Sequence, residues 1–230
     1  PSLTFNGFTK VEIGALSDSY RIWYQVVGEG GAPADNGYEL YQRPFTISRS
    51  STVYAYCTDA DGRRSFTSRT DLRRVENNYK VTIAHPYSRL YTAGGDQAIV
   101  DGVRGDTNFR LGGWQGYQNC DFEAVIDLGG QTRISGLSAG FLQDTRSWIV
   151  MPVWVEFSTS SDGKDFTKCG RVENDVDPQD YTCQVREFSL DVKADARYVK
   201  VVAKNFGVLP EWHLGAGGLA HIFVDEVTVK

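Results

Sequence analysis

The 230-residue sequence predicts an all-β protein made of two consecutive sandwiches. Three observations carry this. Apolar and polar residues alternate with a period of two in several stretches. Clusters of Gly, Asp, Asn, Ser and Pro separate those stretches. No stretch holds a sustained helical period. Hydrophobic residues make up 41% of the chain and aromatic residues 13%, enough to fill a core and still present rings at a surface.

Residues 1 to 75 read as the first sandwich. Lys10 to Ile13 is a strand. Tyr20 to Val26 is a second, with Ile22, Tyr24 and Val26 on one face and Arg21, Trp23 and Gln25 on the other. Gly28 to Gly37 is a loop. Tyr38 to Arg43 is read as extended and is followed by Pro44, and Ser51 to Cys57 is a further strand. The run Asp59-Ala60-Asp61-Gly62 marks a hairpin turn. Short strands at this spacing fit an immunoglobulin-like sandwich. The stretch Asp71 to Lys80 is polar and aperiodic and is expected to hold the junction, giving domains at 1–75 and 76–230.

The second domain is organised around Ala98 to Gly129. There a glycine-punctuated loop with Asp101, Asp106, Trp114 and Tyr117 runs into the strand Asp121 to Leu128. Phe122, Ala124, Ile126 and Leu128 share one face of that strand, and Asp121, Glu123 and Asp127 the other. Val153, Val155 and Phe157 alternate in a later strand that ends at the turn Ser160-Ser161-Asp162-Gly163. Arg197 to Ala203 and Ile222 to Val229 are strands, and Asn205 to Gly218 is a loop. The size and turn spacing are those of a jelly roll.

The formal charge of −5, with no basic stripe, excludes a nucleic-acid surface. No apolar run reaches membrane length, so no membrane insertion is expected. The chain opens with Pro1 rather than Met and reads as a piece of a longer polypeptide. The four cysteines form no CxxC pair, which argues against zinc. Cys169 and Cys183 flank an Asp-rich excursion that a disulfide could staple; the alternative is four free, small, buried residues.

Several ordered fragments resemble the discoidin, or coagulation-factor C, type of galactose-binding-like domain. They are Ala98-x-x-Asp101-Gly102, Phe122-x-Ala124-x-Ile126-Asp127-Leu128-Gly129, Val155-x-Phe157-Ser158-x-Ser160-x-Asp162-Gly163, Ala196 to Lys200 and Asp225-Glu226-Val227. Gly113 to Tyr117, Phe141-Leu142-Gln143-Asp144-x-x-Ser147-Trp148 and Trp212-His213-x-Gly215-x-Gly217-Gly218 resemble the C-terminal module of chitobiase-like β-N-acetylhexosaminidases of Bacteroidetes. Pro44 to Ile47, Ser51-Thr52-Val53-x-Ala55 and Asp61-Gly62-Arg63-x-Ser65 are similar to the small sandwich behind the barrel of such enzymes. The resemblance implies a non-catalytic, carbohydrate-binding part of a secreted, periplasmic or cell-surface glycoside hydrolase. Its partners would be a glycan and the catalytic domain of the same polypeptide.

The expected glycan site is a loop cluster of Trp114, Gln115, Asp144, Arg146, Trp148, Trp212 and His213. An indole covers the flat C–H face of a sugar, while Arg, Asp, Gln and His bond its hydroxyl rim. The competing reading makes Trp114 and Trp148 plugs under the loops and pairs Asp144 with Arg146. In a further alternative the module has no sugar site and packs against the parent enzyme or dimerises. The resemblance also implies a structural Ca²⁺ held by Asp101, Asp106 and Glu226, against which stand Arg104 inside the loop and a simple capping role for Asp101. The adjacent Asp225-Glu226 invites a hydrolase reading. Neighbours in a strand point to opposite faces, however, and a catalytic barrel needs about 250 residues with alternating helices. No catalytic residue is expected.

Overall fold

The computed structural model describes residues 3–230 and divides into two compact units, Pro1–Glu76 and Asn77–Lys230. The first unit contains β1 (Thr4–Phe5), β2 (Thr9–Val11), β3 (Arg21–Gly28), β4 (Glu39–Leu40), β5 (Phe45–Ile47), β6 (Ser51–Thr58) and β7 (Ser68–Arg74). Five strands form one sheet in the order β1-β7-β6-β3-β4, and β2 pairs β5 in a second. β3 and β6 run antiparallel along their whole lengths, from Arg21 opposite Thr58 to Gly28 opposite Ser51. The β-branched and aromatic residues of β6 suit this pleated pairing, and Val53, Ala55 and Ile47 of β5 are buried. Tyr24 stacks on Phe45 at 4.6 Å and meets Tyr41 edge-on.

Two expectations for this unit change. The extended stretch Tyr38 to Arg43 contracts to the two residues of β4. Asp71 to Arg74 are not linker but the end of β7, because Thr52 and Asp71 are cross-strand partners whose side chains bond, Oγ1 to Oδ1, at 2.6 Å. A cross-strand partner, invisible to periodicity, makes this charged run a strand.

The second unit contains β8 (Lys80–Ile83), β9 (Gln115–Gln118), β10 (Phe122–Gln143), β11 (Trp154–Ser160), β12 (Thr167–Glu173), β13 (Gln184–Ala203) and β14 (His221–Val229). The order is β12-β11-β13-β10-β14-β9, with β8 also on β10. The strand expected at Asp121 to Leu128 is only the first part of β10. Register shifts between Asp127 and Thr132, around Gly129 with its positive φ, let the strand turn and continue without ending. β13 follows it as an equally continuous partner. The first half of β10 pairs β8, the second half pairs β14. Phe122, Ala124 and Ile126 from the first half and Leu137, Ala139 and Phe141 from the second are all buried in one core, with Val155, Phe157, Val199, Val201 and Val224. This makes a two-layered antiparallel sandwich in which two long strands serve both layers.

The four cysteines are free. Cys169 Sγ lies 3.5 Å from Thr159 Oγ1, whereas Cys183 Sγ reaches the carbonyl oxygen of Thr107 at 3.1 Å. Each sulfur has its own partner, so of the two alternatives the free cysteines are the one seen, half-buried and not fully buried. No helix among the described residues is long and apolar enough to cross a membrane.

Candidate functional site

The loop that joins β13 to β14 folds on itself. Leu209 N donates to Gly218 O, Gly217 N to Leu209 O, and Ala216 N to His213 O. Asn205 anchors its base, with Nδ2 donating to the carbonyl oxygens of Cys120 and Ala220. The turn after β10 is built as tightly: Ser147 Oγ donates to Asp144 Oδ2 at 2.8 Å, and Trp148 N donates to Thr145 O. Trp148 sits in the left-handed region at φ 65°, where a non-glycine residue carries strain of about 1–3 kcal/mol.

His213 ties these two loops together. Its ring is buried; Nδ1 accepts from Gly215 N at 2.9 Å, so Nε2 carries the proton and donates to Thr145 O at 2.6 Å. On either side of this imidazole stand Trp148, at 6.5 Å, and Trp212, at 5.7 Å. Both residues are 37% exposed. The Trp148 ring is seated on the glycine turn. A Cβ added at Gly215 or Gly218 would run into its six-membered ring, so the indole lies against bare backbone. Arg146, in the same turn as Trp148, is exposed, with its guanidinium 5.8 Å from the centre of the Tyr181 ring. Two half-exposed tryptophans thus neighbour one buried imidazole, with exposed Arg146 in the turn of Trp148 and exposed Glu211 next to Trp212 in sequence. A cleft of about 740 Å³ lined by Arg133, Asp191, Lys193 and Asp195 lies elsewhere on the unit and includes none of them.

Two residues expected at this site are not there. Trp114 is 1% exposed, packed with Phe109, Leu142, Ile149 and Phe223. Its Nε1 donates to Asp106 O at 2.8 Å, and its ring fills the space beside Gly105. Gln115 is fully buried, with Nε2 donating to Gly95 O and Oε1 accepting from Tyr117 OH. Both are part of the packing that supports the loops. Asp144 and Arg146 do not pair; the Asp144 carboxylate closes its own turn through Ser147. Tyr181 and the glycines under Trp148 were not marked out as site residues. The spacing of Gly215 and Gly218 after Trp212-His213 was the available signal, but the ring they seat comes from another loop.

The expected calcium ligands are also engaged otherwise. Asp101 Oδ1 accepts from Val103 N, and Asp106 Oδ1 from Asn108 N at 2.7 Å. Glu226 Oε2 accepts from Gly102 N at 2.9 Å. Among the described residues no group of three or more His, Cys, Asp or Glu is arranged to hold a metal ion. The set does not fit the ion: one oxygen of each faces an N–H donor, and the Arg104 guanidinium, bonded to Asp225 and Glu187, sets a positive charge near Glu226.

Asp225 and Glu226 depart from strict alternation. Ala139 faces Val227 and Phe141 faces Val224, so the pair lies opposite the single residue Gly140. That is a β-bulge, and it lets both carboxylates serve the 102–105 loop. Asp225 Oδ2 accepts from Gly105 N at 3.0 Å, while Oδ1 takes Glu226 N and Arg104. Burial raises both acids, Glu226 to about 8, with the charges of Asp101 and Asp225 adding to the rise. The two share a task after all, and it is structural.

Residues 81–218 match the family model described as F5/8 type C domain. No curated protein matches the chain. Among solved structures, the chain is similar to CpGH89CBM32-5 from Clostridium perfringens, solved with GalNAc-β-1,3-galactose: 20% identity over 66% of this chain and 94% of that one, TM-score 0.43. It is also similar to the family 32 carbohydrate-binding module of C. perfringens NanJ solved with galactose (14%, 66% and 92%, TM-score 0.38). A third is the C-terminal domain of a chitobiase from Bacteroides fragilis (17%, 65% and 92%, TM-score 0.36). The family match covers more than half of the sequence and nearly all of the second unit. The chain belongs to the F5/8 type C domain family.

Proposed function

We propose that the second unit is a non-catalytic glycan-binding module whose contact surface is the platform of Trp148 and Trp212. The observation that carries this is the seat of Trp148: the indole lies on backbone freed of side chains by Gly215 and Gly218, and the residue still keeps 37% exposure. A rigid, half-bare indole offers a sugar's C–H face a surface that loses little entropy on binding. Arg146 and Glu211 are the exposed polar groups beside the two indoles, placed for hydroxyl rims. The ligand class is a galactose- or N-acetylhexosamine-terminated glycan, bound at about millimolar affinity, near −4 kcal/mol. Binding of that strength acts by tethering.

The fragments quoted above support a wider reading. The first unit would be an immunoglobulin-like spacer, and the whole a C-terminal part of a secreted, periplasmic or cell-surface β-N-acetylhexosaminidase of Bacteroidetes origin. The catalytic domain would be its partner in the same polypeptide.

The test is a glycan array with the chain and its Trp148→Ala variant, followed by NMR titration with galactose and N-acetylgalactosamine. Binding that vanishes in the variant supports the proposal. A second reading is favoured by Leu214, 96% exposed, and Val208, 60% exposed, on the loop that bears Trp212. These apolar side chains suit a protein contact. A blank array together with a concentration-dependent dimer in solution would establish that reading instead.

A further inference from the structure

We propose that Arg104 is a built-in cation standing in the place of a divalent metal, so that the loop Gly102 to Gly105 is held against β14 without calcium. The loop and the strand meet through carboxylates. Glu226 takes the amide of Gly102 and Asp225 takes that of Gly105. The Asp225 side chain is fully buried in the bulge beside Glu226. Such an arrangement requires a positive charge close by.

The guanidinium of Arg104 supplies it in a fixed geometry. Nη1 meets Asp225 Oδ1 at 3.3 Å and Nη2 meets Glu187 Oε1 at 2.8 Å. Glu187 is itself oriented by Ser138, whose Oγ donates to the same oxygen at 2.6 Å. One planar fork thus joins the loop, β13 and β14. The strand between them makes room: a Cβ at Gly140 would collide with the Asp225 carboxylate and with Arg104 Nη1. Arg104 keeps 45% of its side chain in solvent, so its charge is not stranded in the core.

A calcium ion needs six to eight oxygen ligands at about 2.3–2.6 Å. Here Asp225 accepts on both oxygens, and Asp101, Asp106 and Glu226 each accept an amide N–H. An N–H pointing at an oxygen repels a cation from it, and the guanidinium repels it again.

The experiment is a thermal melt of the chain, stripped with excess EDTA and then titrated with calcium chloride, alongside the ¹⁵N–¹H shifts of Gly102 and Gly105. For the natural sequence neither the melting temperature nor the two amides should move. Arg104→Gln should melt lower and should regain part of the loss on calcium addition, because Asp225 and Glu187 then face each other with no cation between. A saturable calcium-dependent rise in the natural sequence overturns the proposal. So does an Arg104→Gln variant that melts unchanged, or one that melts lower and ignores calcium. Should Arg104→Gln fail to fold, Arg104→Lys retains the charge and is expected to fold and ignore calcium; a calcium response there overturns the proposal equally.

Discussion

Trp148 and Gly215 are fitted to one another by an absent methyl group. The indole occupies the volume where any other residue at position 215 would carry its Cβ. Gly215 has no positive φ, so alanine there is conformationally tolerable and disturbs only the ring. Gly215→Ala is therefore expected to displace Trp148 and weaken glycan binding at least tenfold, about 1.4 kcal/mol, with a smaller loss of stability. NMR titration and tryptophan emission check this; undiminished binding would mean that the Trp148 face is not the contact.

His213 should act on stability and on binding together. His213→Ala leaves Thr145 O and Gly215 N without their partner in a buried place. Each orphaned group costs about 1–3 kcal/mol. The expected outcome is a loss of roughly 2–4 kcal/mol in urea unfolding of the second unit, with weaker glycan binding because both indoles lose their common support. A ¹⁵N imidazole spectrum should show the Nε2–H tautomer in the folded protein.

Trp114→Ala separates packing from contact. The ring is buried among Phe109, Leu142, Ile149 and Phe223, so its removal should cost about 3–5 kcal/mol in stability. Glycan affinity of the fraction that remains folded should be little changed. A selective loss of binding with unchanged unfolding would restore Trp114 to the site.

Glu226 makes stability fall with rising pH. Burial, and then the charges of Asp101 and Asp225, raise it from 4.5 to about 8. The folded state therefore holds the proton more tightly than the unfolded state. Its contribution is complete below about 4.5 and is lost as pH climbs through about 8. Glu226→Gln should flatten that decline and be more stable than the natural sequence at alkaline pH, with the Gly102 amide still bonded. Urea unfolding across pH 5 to 9 measures it; identical pH profiles would contradict it.

Asp127 has the opposite sign. The paired bonds from Arg197, both 2.8 Å, hold its carboxyl at about 2, below the ordinary 3.8. Stability from this pair is present above about 3.8 and disappears as pH falls through about 2. Because both side chains reach solvent, Arg197→Ala should cost little stability at neutral pH. Acid unfolding monitored by circular dichroism should differ little between the two below pH 2.

Much of this was legible in the residues. β6, β11 and β14 lie close to the stretches read as strands, although Ile222 to Val227 of β14 are buried on both faces. The turn Ser160 to Gly163 closes through Ser160 Oγ and Asp162 Oδ1, as its composition suggests. The length of β10 was hidden by Gly129-Gly130, a pair that ends most strands but here only bends one. Trp148 and Trp212 are half-exposed, whereas Trp114, marked out by the same residue type, is buried. Residue type cannot tell an indole seated on glycine from one buried under a loop. The bulge at Asp225-Glu226 and the reach of Arg104 across 121 positions to Asp225 leave no local trace.

The first and last strands of the second unit, β8 and β14, both hang on β10, one on each half. Any tension passed along the polypeptide enters through one of these strands and leaves through the other. Their ladders with β10, at Ala124 to Asp127 for β8 and at Leu137 to Phe141 for β14, would both have to part before the central strand is freed. A module gripping a surface-bound sugar would in this way pass load through its central strand and not through its loops.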